Sequence, residues 1–306
     1  MGIHTSIEWC DSTVNPVVGC DGCELWHPQI GIRHCYAGAL IGRYAGQTGW
    51  PASFDRPQFF PGRMEQAMRW PDLTGTVRPD KPWLDGLPRL VFVNDASDTF
   101  GKSIDPRSWL TPIISHLSES PHIWILLTKR PAAMFRYFRE LGRVPRNFLL
   151  GTSVTSQLST TRLRRLLDLR KIERDCLLWC SLEPLLGQVD VLDYLLPAWN
   201  VEKSVDLERP SRIDFDEMRL GLDWAVIGGE SGFGARPCSL EWIADLLQQC
   251  SAAEVPAFVK QLGSNISGRQ EDLSRLDVRA DRRGKATDWS KWPANLLVRQ
   301  MPAQIA

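Results

Sequence analysis

The stretch HIWILLTKRPAAMFRYFRELG, residues 122–142, decides the fold. Ile123 to Thr128 is an apolar run without alternation, as expected of a strand buried on both faces. Pro131 suits the first position of a helix, where a missing N–H breaks no intrahelical bond. Met134, Phe135, Phe138 and Leu141 then follow at helical spacing. Strand, short polar turn and helix make one βα unit. Working outward, the unit repeats: Leu90–Val93, Phe148–Val154, Cys176–Leu182, Trp224–Gly228 and Ala257–Leu262 read as further strands. Helices are expected at Tyr36–Gln47, near Arg63–Trp70, over Pro106–Glu119, around Leu163, Leu166 and Leu167, and after a Ser239 cap. The pattern predicts an α/β fold: a partial (β/α) barrel of about six parallel strands, with residues 1–306 forming a single domain.

Three segments fall outside this rhythm. Trp50 to Pro88 is rich in Pro, Gly and Trp and reads as an irregular excursion. Residues 198–222 are crowded with charge and read as an insertion, and residues 264–306 as a C-terminal extension with a polar surface loop. The chain carries 36 basic and 36 acidic side chains, a formal net charge of zero, which argues against indiscriminate binding of nucleic acid through its phosphates. No apolar run approaches the roughly 20 residues of a membrane span. With no signal peptide, a cytoplasmic protein without membrane partners is expected.

Residues 10–36 hold the chemistry. NPVVGCDGCELWHPQIGIRHCYA, Asn15 to Ala37, puts Cys20, Cys23 and Cys35 in a Gly-punctuated loop ahead of a helix. A helix N-terminus offers free N–H groups and partial positive charge to an anionic site. Three thiolates there suit an iron–sulfur cluster with one iron left open. Zinc is the rival, since Cys20-x2-Cys23 is half a zinc knuckle that Cys10, His27, His34 or Cys35 can complete. Inert buried thiols are the third reading.

TSIEWCDSTVNPVVGC, the CYA after the third cysteine, LLTKRP, SLEPLLG, DWAVIGGESGFGARP, PAFVKQLG and the run from Trp292 to Arg299 resemble a phage-associated three-cysteine family. That family is similar to radical S-adenosylmethionine enzymes and more distantly to spore photoproduct lyase. Related proteins usually carry a cysteine where this chain has Ile32, which makes Cys23 the substitute, with Cys10 as a stand-in. The resemblance implies a radical-S-adenosylmethionine-type barrel and a [4Fe–4S] cluster on Cys20, Cys23 and Cys35. It also implies S-adenosylmethionine as cofactor, a 5′-deoxyadenosyl radical as reagent, and an electron donor such as flavodoxin or ferredoxin.

In a parallel βα architecture the chemistry gathers where strands end. Those positions supply Ser97, Asp98, Ser153 and the turn Gly228, Gly229, Glu230 as candidates for binding the cofactor, and Lys129, Arg130 and Glu183 as candidates for catalysis. Lys260 is a further cation at a strand end. The basic run from Arg162 to Arg174 and the many tryptophans between Trp50 and Trp83 suggest a nucleobase or DNA substrate, with a flipped base held by stacking. The competing class is a zinc-stabilised nucleic-acid-binding or phage assembly protein without turnover.

Overall fold

The structure, a computed structural model, describes residues 2–196, 198–199, 218–232, 234–268 and 289–305. The chain divides into two compact units, 1–153 with 303–306, and 154–302. Both are parallel α/β structures.

In the first unit β1 (Ser12–Val14), β2 (Leu90–Val93), β3 (Ile123–Thr128) and β4 (Phe148–Ser153) lie side by side in that order, all parallel. Val14 stands beside Val93, Val93 beside Leu126, and Thr128 beside Thr152, so the strands end at one edge. Leu90, Val91, Trp124, Ile125, Leu149 and Leu150 have no exposed surface, as strands covered on both faces require. The strand β1 was not expected from the sequence, because three residues carry no period of their own. It is fixed from outside: Asp11 is buried, accepts the Leu90 N–H at 2.9 Å and pairs with the buried Arg78 guanidinium at 3.2 Å.

The helices mostly follow the sequence pattern. The first, α1, spans Tyr36–Tyr44, and α2 spans Arg63–Met68. The helix expected over Pro106–Glu119 is broken into two 3-10 turns, Pro106–Ser108 and Thr111–Ile113, before α3 (Ile114–Glu119). Pro112 lacks the N–H that would bond four residues back, so a continuous α-helix is interrupted there. In α4 (Pro131–Leu141) Pro131, Met134, Tyr137 and Phe138 are buried. Phe135 turns aside beneath Arg139, with the guanidinium 5.6 Å from the ring centre. Gly142 ends α4 in a left-handed conformation and donates to Phe138 O at 2.9 Å.

In the second unit β5 (Leu177–Leu182), β6 (Trp224–Gly228) and β7 (Ala257–Gln261) are parallel in that order. The helices are α5 (Thr161–Leu167), α6 (Leu192–Leu195) and α7 (Leu240–Ala252). Ser239 caps α7 by accepting the Glu241 N–H, and Leu240, Ile243, Leu246 and Cys250 face inward. Most of the charged segment 198–222 lies outside the described residues; Ala198–Trp199 pairs antiparallel with Met218–Arg219. Residues 289–300 are more than an extension. Val259 donates to Val298 O, and Gln300 donates to Ala257 O, so the tail bonds to β7. Arg299 sits among the rings of Trp289, Phe258 and Trp292, 4.5, 5.5 and 5.8 Å from their centres. Residues 269–288 of the expected polar loop are outside the described residues.

No helix among the described residues is long and apolar enough to cross a membrane. Replacing Asp11 with Ala leaves the Arg78 guanidinium buried beside β1 without its carboxylate. Loss of one member of a buried pair costs about 3–5 kcal/mol, and urea denaturation should show a loss of that size, with D11N milder. A D11A protein as stable as the wild type would show that this pair does not anchor β1.

Candidate metal centre

The cysteine loop leaves the carboxyl end of β1 and is held by the loop that follows β2. Asn94, in a left-handed conformation at φ 62°, accepts the Val17 N–H at 3.0 Å and donates to Thr99 Oγ1 at 2.9 Å. Asn15 reaches the other way, donating to Asp95 Oδ1 at 2.5 Å and accepting the Ala96 N–H at 3.0 Å. Gly19 and Cys20 are tied by N–H bonds to Ala96 O and Phe54 O. Asp21 is caught by the backbone N–H groups of Lys102 and Ser103 and by the Ser103 hydroxyl. Burial opposes its charge, but these bonds outweigh it and hold the Asp21 carboxyl below its ordinary pKa. Gly22 has φ 89°, and a Cβ there would lie 2.7 Å from Trp26 O; only glycine lets the loop turn so closely.

Cys20, Cys23 and Cys35 are all half-buried. Cys20 and Cys35 pack beside the core cluster of Val18, Ala37, Ile41, Phe54 and Ala96. The Leu25 N–H donates to the Cys23 sulfur at 3.4 Å, while the Gly22 N–H favours the charged form of Cys20, and those of Gly38 and Ala37 that of Cys35, the N-cap of α1. Cys23 lies close enough to feel the charge of both others. Burial, reinforced by Asp98, pushes the Cys20 thiol up to about 11, against the help of Gly22 and Arg130. Burial also raises Cys35, opposed by the N–H groups of Gly38 and Ala37 and by the charge of Lys129.

Asp98 and Arg130 link this loop to β3. One Asp98 oxygen accepts from Thr128 Oγ1 at 2.6 Å and Phe100 N at 3.0 Å; the other accepts from Lys129 N and Arg130 Nη1, both at 3.1 Å. Arg130 also donates to Gly22 O at 2.9 Å, and its charge acts on the Cys20 thiol. Burial works against its charge, but Asp98, Cys20 and Asp21 more than offset that and raise its pKa.

Among the described residues no three His, Cys, Asp or Glu side chains gather in an arrangement that can hold a metal ion. Single-ion zinc would need such a gathering, with Zn–S bonds of about 2.3 Å. A cubane cluster asks for a wider triangle, because each thiolate binds a different iron. The donor chemistry suits that group: three half-buried thiols, the Leu25 N–H on Cys23, and Arg130 and Lys129 to balance thiolate charge. His27 and His34 are exposed. Cys10 is fully buried beside the amino end of β1, away from the edge where the loop emerges.

The remaining site residues of the first unit are Ser97, half-buried and bridged to Gly19, and Ser153, buried at the end of β4. In the second unit Glu183 pairs with Lys260 at 3.1 Å and accepts from Ser181 Oγ at 3.2 Å. Gly228 lies under that carboxylate; a Cβ there would approach Glu183 Oε1 to 2.8 Å. Glu230 is closed off by Arg236, which donates to it from Nε at 2.8 Å and Nη2 at 2.7 Å.

Part of the basic run is paired within its own unit. Arg170 is buried against Asp223 at 2.7 Å and bonds the carbonyls of Arg174, Cys176 and Gly221. Arg165 and Lys171 share Asp168. The tryptophans between 50 and 83 are tied inward: Trp50 stacks on Tyr44 at 5.1 Å, and Trp83 donates to Glu8 O at 2.8 Å.

A family model described as "Protein of unknown function (DUF5131)" matches residues 4–294, nearly the whole chain. The chain belongs to that family. No curated protein and no solved structure matches it. The family model takes in every cysteine of the loop and both strand-end clusters.

The raised thiols make a direct test. With a pKa near 11 rather than 9.0, Cys20 holds about a hundredfold less thiolate at pH 8 than an ordinary thiol. Iodoacetamide labelling of the metal-free protein, read peptide by peptide, should therefore find Cys20 slow at pH 8 and accelerating toward pH 11. Labelling at the rate of a free thiol would refute this environment. Ligation requires the thiolate, so metal uptake should strengthen as pH rises.

Proposed function

We propose that this protein is a radical S-adenosylmethionine enzyme of the partial-barrel type, with an iron–sulfur cluster on Cys20, Cys23 and Cys35. The observation that carries this reading is the sulfur environment: three half-buried thiols at one loop and one helix start, with Arg130 and Lys129 as counter-charges. When bound, a reduced [4Fe–4S] cluster with S-adenosylmethionine supplies one-electron cleavage of the sulfonium and abstraction of a substrate hydrogen atom. The protein's own part is to hold and shield. Val18, Phe54 and Ala96 back the cysteines with apolar surface, which excludes water from a reactive centre. Arg130 and Lys129 offset charge that would otherwise build up on three thiolates.

In the second unit the Glu183–Lys260 pair lies over the bare Gly228. Glu230, held by Arg236, serves to shape its turn. The substrate we assign is at the nucleobase level, on the resemblance alone. The exposed Arg164 is the member of the basic run best placed to meet a phosphate. A small electron donor of the flavodoxin or ferredoxin kind completes the requirement for one electron per turnover.

Anaerobically prepared protein should be brown and hold about four irons, as one cubane requires, and should convert S-adenosylmethionine to 5′-deoxyadenosine and methionine under strong reductant. C20A, C23A and C35A should each lose most of the iron. Cys176, Cys238 and Cys250 are buried thiols pushed up to about 12, and their Ala variants should keep it. Colourless protein with stoichiometric zinc would overturn the reading in favour of a zinc-stabilised binding or assembly protein.

A further inference from the structure

Arg130 is fixed from both ends. Its backbone N–H donates to Thr128 Oγ1 at 2.9 Å, and its carbonyl accepts from Ala133 N at 2.9 Å and Met134 N at 3.2 Å. The residue precedes Pro131 and lies outside the helix at φ −124°, ψ 57°, a backbone that the proline ring helps to exclude from the α region. The side chain is 21% exposed. Its guanidinium donates to two different groups, the Asp98 carboxylate at 3.1 Å and the Gly22 carbonyl at 2.9 Å, and its charge acts on the Cys20 thiol. Asp98 is held in turn by Thr128, Phe100 and Lys129. A cation supported this fully does not turn toward solvent, and one of its two hydrogen-bonded partners is on the cysteine loop.

We infer that Arg130 is the positioning residue of the cysteine loop: it fixes the Cys20–Gly22 segment against the end of β3 and places a permanent positive charge beside a thiolate ligand. The positional part stands on the contacts alone; the charge part rests on the cluster reading above. Iron–sulfur potentials follow the net charge around the sulfurs, so a cation whose charge acts on Cys20 favours the reduced state. The chemistry asks for Arg rather than Lys. A planar fork reaches a carboxylate and a carbonyl together, whereas an ammonium on a flexible stem keeps the charge and loses that geometry. Position and charge can therefore be separated by substitution.

The test uses the full chain as wild type, R130K, R130M and D98N. In metal-free protein, hydrogen exchange of the amides of residues 19–26 should be at least about tenfold faster in R130M and D98N, whose latch is cut or weakened. R130K should also exchange faster than wild type. Exchange equal to wild type in both R130M and D98N overturns the positional role, and D98N serves where R130M does not fold. In iron-loaded protein, a redox titration followed by electron paramagnetic resonance should find R130M harder to reduce. The expected change is about tenfold in the oxidised-to-reduced ratio at fixed poise, equivalent to about 59 mV for one electron. R130K should stay near the wild type, because it keeps the charge; a purely structural role would move R130K and R130M alike. Equal potentials in wild type and R130M at full iron content overturn the charge role. A wild type that takes up no iron refutes the enzyme reading and the charge role together, and the exchange measurement still decides the positional role.

Discussion

The carboxylate of Asp98, only 9% exposed, accepts four hydrogen bonds, from Thr128, Phe100, Lys129 and Arg130. A buried charge is tolerated only when it is paired and its lone pairs are used. Satisfying Asp98 therefore draws the end of β3 against the loop after β2. The same requirement fixes Arg130, whose remaining donors reach the cysteine loop. One desolvated carboxylate thus joins two strand ends and the segment that carries Cys20. The asparagines beside it do the same for β1, with Asn94 and Asn15 each bonding across to the other's loop. Asn94 adopts a left-handed conformation that its short polar side chain tolerates.

Around the cysteines, burial and hydrogen bonding pull in opposite directions. Apolar packing from Val18, Phe54 and Ala37 raises the thiols, while Gly22, Ala37, Gly38 and Arg130 favour thiolate. Such a site disfavours charge when empty, yet its N–H groups and cation already face the sulfurs. Metal binding would release protons there and make use of donors that are already in place. The second unit has a different balance. Glu230 is closed by Arg236, and Glu183 is met by Lys260 and Ser181, so its polar strand ends are paired within the unit.

Several features that look functional in the sequence are structural in the fold. Arg170 belongs to a run of six cations along one stretch, yet it is buried with Asp223 and bonds three carbonyls. A basic run shows composition, and the partner 53 residues away shows only in the fold. Trp83 and Trp50 likewise hold the irregular excursion to Glu8 and Tyr44. An excursion with little secondary structure uses large rings and their N–H groups for order that helices and strands would otherwise provide.

The sequence alone determined the parallel βα alternation and the cysteine loop. Strands covered on both faces must be apolar throughout and helices on their faces must be amphipathic, and both constraints are local enough to read from spacing. Pro131 and Ser239 marked helix starts for the same reason. Only the tertiary structure decided which polar residues remain available. Asp98, Ser97, Glu183 and Glu230 look equivalent as strand-end residues, but their partners lie as far off as Arg130, Gly19, Lys260 and Arg236. β1 escaped the reading because its three residues become a strand only through Asp11, Leu90 and Arg78. The division follows from physics: backbone period and helix capping are set by neighbours in sequence, whereas satisfaction of a buried charge is set by whichever group the fold brings within hydrogen-bonding distance.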